Sequence, residues 1–176
     1  MIHLRPATID DYKSIASLHA NNWQHTYRGI LSDHYLDNEV TDERIKFWKE
    51  RLENPAVNQI TIVAMMSEQM VGFSCLLLND DEQYGTLLDN LHVSIHVQKS
   101  GIGKLLMQDC AKTILAKASN HKLYLWVFEA NQNARTVYEK LGGQHIETID
   151  HDNWDGTKAK VCRYAWQDVG SLLTNN

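Results

Sequence analysis

Gly101 and Gly103 stand where an apolar, β-branched run, Leu87–Ile95, gives way through the polar turn His96–Ser100 to a new pattern. Beyond them Ile102, Leu105, Leu106, Cys110, Ile114 and Leu115 recur at helical spacing, so the glycines mark a strand-to-helix junction. Glycine there lets backbone N–H groups approach a ligand with no Cβ in the way. The first helical turn adds unpaired N–H donors and the positive end of a dipole, and the whole is a cradle for phosphate. A nucleotide P-loop would need Gly where Gln98 stands and Ser or Thr where Leu105 stands. A dinucleotide fingerprint would need a third Gly in place of Leu106. Neither pattern is met.

What is met is Gln-x-x-Gly-x-Gly, as Gln98-Lys99-Ser100-Gly101-Ile102-Gly103, followed by Lys104. This segment resembles the acetyl-CoA-binding motif of the GNAT superfamily of N-acyltransferases, whose loop wraps the CoA pyrophosphate. A second block, Asn131-Gln132-Asn133-Ala134-Arg135-Thr136-Val137-Tyr138-Glu139-Lys140-Leu141-Gly142, is similar to the same family's Asn-x-x-Ala-x-x-x-Tyr-x-x-x-Gly signature. The resemblance implies acetyl transfer from acetyl-CoA to an amine. It assigns Lys99 to Lys104 to the pyrophosphate, and the backbone of Leu91, His92 and Val93 to the pantetheine arm in the manner of an added strand. It also implies that Asn131 contacts CoA and that Tyr138 meets the leaving thiolate as its acid.

The amine must lose a proton, because an ammonium group with a pKa near 10 is mostly charged at neutral pH. Family branches use a Glu on the central strand or on the strand after the central helix, but those positions hold Leu87 and Trp126. The nearest replacements are Asp89, His92 and Glu129. Strict alternation puts Asp89 with Leu87 and Leu91 on one face and His92 with Leu88 and Asn90 on the other, so only one of the two would face the acceptor. Asp89 is the expected base. Trp23, Tyr27 and Trp126 are expected to line the acceptor pocket, since the family sets its first helices over that side.

Around these residues the chain reads as seven strands and several helices. Ile2–Arg5 is a strand ended by Pro6, and Thr8 opens a helix carrying Ile9, Tyr12, Ile15, Leu18 and Trp23. Short helices are expected around Ser32–Leu36 and over Asp42–Leu52. Ile60–Met66 and Met70–Leu78 form a hairpin before the central strand. Lys122–Phe128 is a strand, about Asn131 to Leu141 a helix stopped by Gly142-Gly143, and Gln144–Ile149 and Lys158–Trp166 a closing strand pair. That order matches the GNAT arrangement: an α/β (α+β mixed) fold with a central, mixed, mostly antiparallel sheet of about seven strands and helices on both faces, one domain over residues 1–176.

The 176 residues carry a formal charge of −5, with no broad basic footprint for nucleic acid. No apolar run is long enough to span a bilayer, and the N-terminus reads as a folded start rather than a signal peptide. Cys75, Cys110 and Cys162 have no paired spacing, which reads as reduced thiols in a cytoplasmic protein. No cysteine lies in either motif block, so direct transfer in a ternary complex is expected, and no metal-ligand spacing occurs among the nine histidines. The acceptor is a small-molecule or peptide amine. The alternative is an acetyl-CoA-binding sensor domain without turnover. Dimers are common in the family, so the resemblance also allows a homodimer.

Overall fold

A computed structural model describes residues 1–174. Its strands are β1 (Ile2–Pro6), β2 (Gln59–Met66), β3 (Gln69–Asp81), β4 (Gly85–Val93), β5 (Leu123–Phe128), β6 (Gln144–Asp152) and β7 (Lys158–Trp166). The helices are α1 (Tyr12–Thr26), α2 (Asp33–Asn38), α3 (Val40–Glu53), α4 (Ile102–Lys117), α5 (Gln132–Lys140) and α6 (Ser171–Thr174). All seven strands join one sheet in the order β1-β2-β3-β4-β5-β7-β6. Every neighbouring pair is antiparallel except β4 with β5.

Apolar spacing decides which helix covers which face. The α4 side chains Met107, Cys110, Ala111 and Ile114 pack with Leu76, Leu88, Leu123 and Leu125 of the sheet. On the opposite face Ile15, Ala16 and Leu18 of α1 and Trp48 of α3 pack with Val63, Phe73 and Cys75. These buried side chains, each stabilising by about 1.5–3 kcal/mol when fully buried, fix the layers. The first helix starts with a 3-10 turn at Ile9–Asp11, where Asp11 accepts from the Thr8 backbone at 2.7 Å and from Arg5 at 2.8 Å. Strand β3 runs three residues beyond Leu78, because Asp81 still pairs with Gly85. Strand β4 stops at Val93, and Ile95–Val97 forms a 3-10 turn rather than more strand.

Two irregularities in the central strands shape everything that follows. The first is a β-bulge: Asn90 pairs with Cys75 and Leu88 with Leu76, leaving Asp89 without a partner residue on β3. An extra residue shifts the side-chain parity beyond it. Asp89 and His92 therefore both lie on the face covered by α1 and α3, where Asp89 meets Arg51 and His92 meets His19. The strict alternation read from the sequence, which separated the two, is corrected by that bulge. The second irregularity is that β4 pairs with β5 only at Thr86–Leu123 and Leu87–Tyr124, after which the strands part.

Candidate active site

The parting exposes one edge of β4. Ser94 donates its N–H to the Val71 carbonyl at 2.8 Å, which makes the Val93–Gly72 pair the kind that exchanges no hydrogen bonds. By alternation Leu91 and Val93 turn their peptide groups away from β3, with the Val93 carbonyl already accepting from Asn22 Nδ2 at 3.0 Å, while His92 turns its own toward β3. An extended arm with amides can therefore pair with Leu91 and Val93, whereas the expected pairing through the His92 backbone is corrected: that peptide group belongs to the sheet.

At the end of this edge lies the glycine loop. Lys99 and Gly101 adopt left-handed conformations, with φ of 64° and 85°. Ser100 is tied back to the Val97 carbonyl through its hydroxyl. Gly101 is the N-cap residue of α4, and no side chain caps that end, so the first-turn N–H groups around Ile102, Gly103 and Lys104 keep their hydrogen-bonding capacity. A Cβ on Gly101 would meet nothing of the protein within 4 Å, and one on Gly103 would come 3.8 Å from Val93, so the loop adjoins the strand edge and leaves open space beside it. Gln98, Lys99 and Ser100 are exposed along this loop. The loop therefore offers backbone N–H groups to a phosphate-bearing ligand.

The far lip of the gap carries the second motif. Asn131 is the N-cap of α5, its Oδ1 accepting from the Ala134 N–H at 3.3 Å. Ala134 and Tyr138 pack against the same core cluster as Leu91, so the two motif blocks flank one cleft. Gly142 supplies a φ of 86° beyond the helix end, and a Cβ on Gly143 would lie 2.6 Å from the Trp166 ring, which explains the glycine pair. The Tyr138 ring sits 6.2 Å from the rings of Tyr164 and Trp166. Burial, reinforced by the neighbouring Tyr27 hydroxyl, pushes the Tyr138 phenol well above its ordinary range. Burial also raises Tyr27, to about 12, against the opposing effect of Asn131. Tyr27 thus reaches the α5 motif from the α1 side.

Across the sheet, α1 and α3 cover a polar cluster. Asp89 accepts from Arg51 and, at 2.7 Å, from Asn90, both through Oδ2, and Oδ1 has no hydrogen-bond partner among the described residues. The Asp89 side chain keeps 32% of its surface exposed. The His92 ring lies 4.3 Å from His19 and 5.2 Å from Phe73. Burial, with the nearby Arg44 cation, lowers His92 to about 3 and His19 well below the imidazole range.

Trp23 and Tyr27 are neighbours at 5.5 Å, but the third aromatic expected with them is elsewhere. Trp126 and Phe128 share a face of β5, and it is Phe128, at the strand's end, that meets Tyr27 at 4.9 Å. Trp126, two residues back, lies under the Arg163 guanidinium at 4.4 Å, beside Tyr84 and Glu147. The wall of the Trp23 cluster is completed from the β6–β7 loop by Trp154, stacked on Trp23 at 5.3 Å and still 56% exposed. Asp155 holds that loop down by accepting the Ser32 N–H at 2.6 Å. Arg44 is buried beneath, over Trp23 at 4.8 Å and Phe47 at 4.3 Å, and paired with Glu43. Trp154, Asp155, Asn22 and Arg44 carry no local sequence signal; only the fold brings them here.

A thioester on a long amide-bearing arm, ending in a pyrophosphate, is the molecule whose shape continues this edge and loop, and the fold and cleft together define a CoA-dependent acyltransferase. The chain belongs to the acetyltransferase (GNAT) family, whose model matches residues 20–143. It is 24% identical to an uncharacterized N-acetyltransferase, YuaI, of Bacillus subtilis over 99% of this chain and 98% of that protein. It is 25% identical to a spermidine N(1)-acetyltransferase of Thermoplasma acidophilum over 86% of this chain and 93% of that one. A PaiA N-acetyltransferase from Thermoplasma acidophilum, solved in complex with coenzyme A, shares the fold with a TM-score of 0.71 at 18% identity, covering 94% of this chain and 99% of that one. The chain is an acetyltransferase, and acetyl-CoA is its acyl donor.

Proposed function

We propose that this enzyme acetylates a primary amine of a small molecule or peptide by direct transfer, with acetyl-CoA and acceptor bound together on opposite sides of the parted strands. The observation that carries this reading is the two-sided gap. One side offers the Leu91 and Val93 peptide edge and Tyr138, the other the cluster around Asp89, Trp23 and Trp154. A covalent acyl-enzyme is disfavoured, because Cys75, Cys110 and Cys162 are all buried and burial raises Cys75 to about 11 and Cys110 to about 12.

The roles follow from the groups available. Gln98, Lys99, Ser100, Gly101, Ile102, Gly103 and Lys104 cradle the pyrophosphate, and Asn131 and Ala134 border the arm. Tyr138 donates to the leaving sulfur. Asp89 takes the amine proton through its unpartnered Oδ1, with Arg51 and Asn90 fixing the other oxygen. Trp23, Tyr27 and Trp154 wall the acceptor. Polyamines head the acceptor classes to try, given the spermidine acetyltransferase among the relatives. Three buried free thiols suit a reducing cytoplasm, and no helix among the described residues is long and apolar enough to cross a membrane.

Calorimetric titration with acetyl-CoA, followed by thiol release over a panel of polyamines, amino acids, arylalkylamines and peptides, tests the reading. Saturable binding with amine-dependent thiol release supports it and names the acceptor class. Tight binding without release from any amine would favour the acetyl-CoA sensor instead. With Asp89→Asn, acceptor turnover at neutral pH should fall while acetyl-CoA affinity by calorimetry is kept; an undiminished rate removes Asp89 as the base.

A further inference from the structure

The tautomers of the two stacked imidazoles can be deduced from their partners. Asn22 Nδ2 donates to the Val93 carbonyl at 3.0 Å and lies 3.5 Å from His92 Nδ1. A carbonyl oxygen only accepts, so the Asn22 amide has its nitrogen turned to β4, and what it offers His92 is an N–H. A ring nitrogen that accepts carries no proton, and the neutral His92 ring must therefore hold its proton on Nε2. His19 obeys the same logic. The Trp48 indole, which only donates, gives its N–H to His19 Nδ1 at 2.9 Å. Both rings thus expose an Nε2–H. That of His19 is sealed in the core without a partner. That of His92 finds no partner among the described residues and is not among the sealed unpaired atoms, so it keeps accessible surface on the α1 and α3 face where a bound substrate can reach it.

We propose that His92 takes part in the transfer as a hydrogen-bond donor, its Nε2–H meeting an oxygen of the bound substrates, and that Asn22 is the positioning residue that fixes this tautomer. The proposal rests on the acetyltransferase reading and refines it: His92 is excluded as the base, because Nδ1 is occupied and Nε2 is already protonated. Its surroundings keep the ring neutral. The groups facing it are His19 from α1, Arg44 from α3 and Phe73 from β3, with the Arg51–Asp89 pair farther along β4. None is a carboxylate placed to stabilise an imidazolium. The oxygen is either the acetyl carbonyl or one carried by the acceptor, and the two leave different kinetic signatures.

The test has a structural arm and a kinetic arm. In the 15N spectrum of histidine-labelled wild-type protein without ligands, the His92 resonances, assigned by their loss in His92→Gln, should show the Nε2–H tautomer unchanged from pH 5 to 9. Asn22→Leu should shift that population toward Nδ1–H, which a purely packing role would not do. An Nδ1–H ring in the wild type, or a ring that titrates in this range, overturns the proposal whatever the enzyme acts on. Kinetically, His92→Phe keeps a ring without a donor and should lower kcat/KM about 100-fold, the scale of losing one such donor. His92→Gln, which restores an N–H, should recover at least about tenfold of it. A loss in kcat shared by all acceptors identifies the acetyl oxygen; a loss in KM confined to oxygen-bearing acceptors identifies theirs. Undiminished turnover in the Phe variant, or the disappearance of an acid limb from its pH profile, refutes the donor role.

Discussion

Tyr138 illustrates how environment sets what a side chain can do. Its raised pKa keeps the phenol protonated over the working range of pH, so it always has a hydrogen to offer the leaving sulfur. The same shift makes complete proton transfer to a thiolate of pKa about 8.5 uphill, so stabilisation by a hydrogen bond is its larger contribution. Tyr138→Phe should accordingly lower kcat by about 10- to 100-fold, toward the low end for a general acid, while the acetyl-CoA affinity measured by calorimetry stays nearly constant. An unchanged rate would remove Tyr138 from the chemistry. Asp89 shows the limit of reading residues from spacing alone. Its type marked it as chemically interesting, but the face it occupies depends on a bulge, and nothing in Leu87-Leu88-Asp89-Asn90-Leu91 distinguishes a bulged strand from a regular one. Trp126 was misplaced for a related reason: alternation correctly grouped it with Tyr124 and Phe128, but which of the three meets Tyr27 depends on the register of distant elements.

At the scale of elements, the motif-bearing junctions were the legible part. The glycine loop and the start of α4, and the run from Asn131 through Gly142, follow from local chemistry, and the structure finds each where turn and capping preferences put it. Gly101→Val is expected to weaken acetyl-CoA binding by at least tenfold. The open space beside Gly101 shows that no protein neighbour objects to a side chain, so the loss would come from the φ of 85° and from the ligand itself. Calorimetry checks this, and unaltered affinity would discredit the cradle. The β6–β7 loop was not legible as part of the site, because its role depends on contacts with residues over a hundred positions away. Asp155 pins it to Ser32 through a charge-assisted hydrogen bond, a kind of interaction worth about 1.5–3 kcal/mol. Asp155→Ala should loosen Trp154 from Trp23 and raise the acceptor KM several-fold, with acetyl-CoA binding unaffected. Equal losses for both substrates would mean the loop serves the fold instead.

For the whole molecule, the buried imidazoles tie stability to pH. The folded values of His19 and His92 lie below the ordinary 6.5, that of His92 at about 3, so below 6.5 the unfolded chain binds protons that the folded one refuses. Stability from this source is complete above 6.5 and is lost as pH falls, at about 1.4 kcal/mol per pH unit for each ring. Urea midpoints measured from pH 8 to 4 should drop below pH 6.5. His19→Gln, whose side-chain oxygen can still accept from Trp48, should flatten that slope; an equally steep fall would assign acid sensitivity to other groups.

The parting of β4 and β5 has a mechanical meaning as well. Among the described residues two ladder pairs are all the backbone pairing that joins a four-stranded half of the sheet to a three-stranded half, and beyond them the halves are held by side-chain contacts, such as Tyr124 on Asp80, and by the helix layers. On the proposed binding mode, an acetyl-CoA arm in the gap would act as a splint, supplying hydrogen bonds along the free edge of β4. At a concentration one hundred times its dissociation constant the donor would add about 2.7 kcal/mol to the resistance of the fold to unfolding.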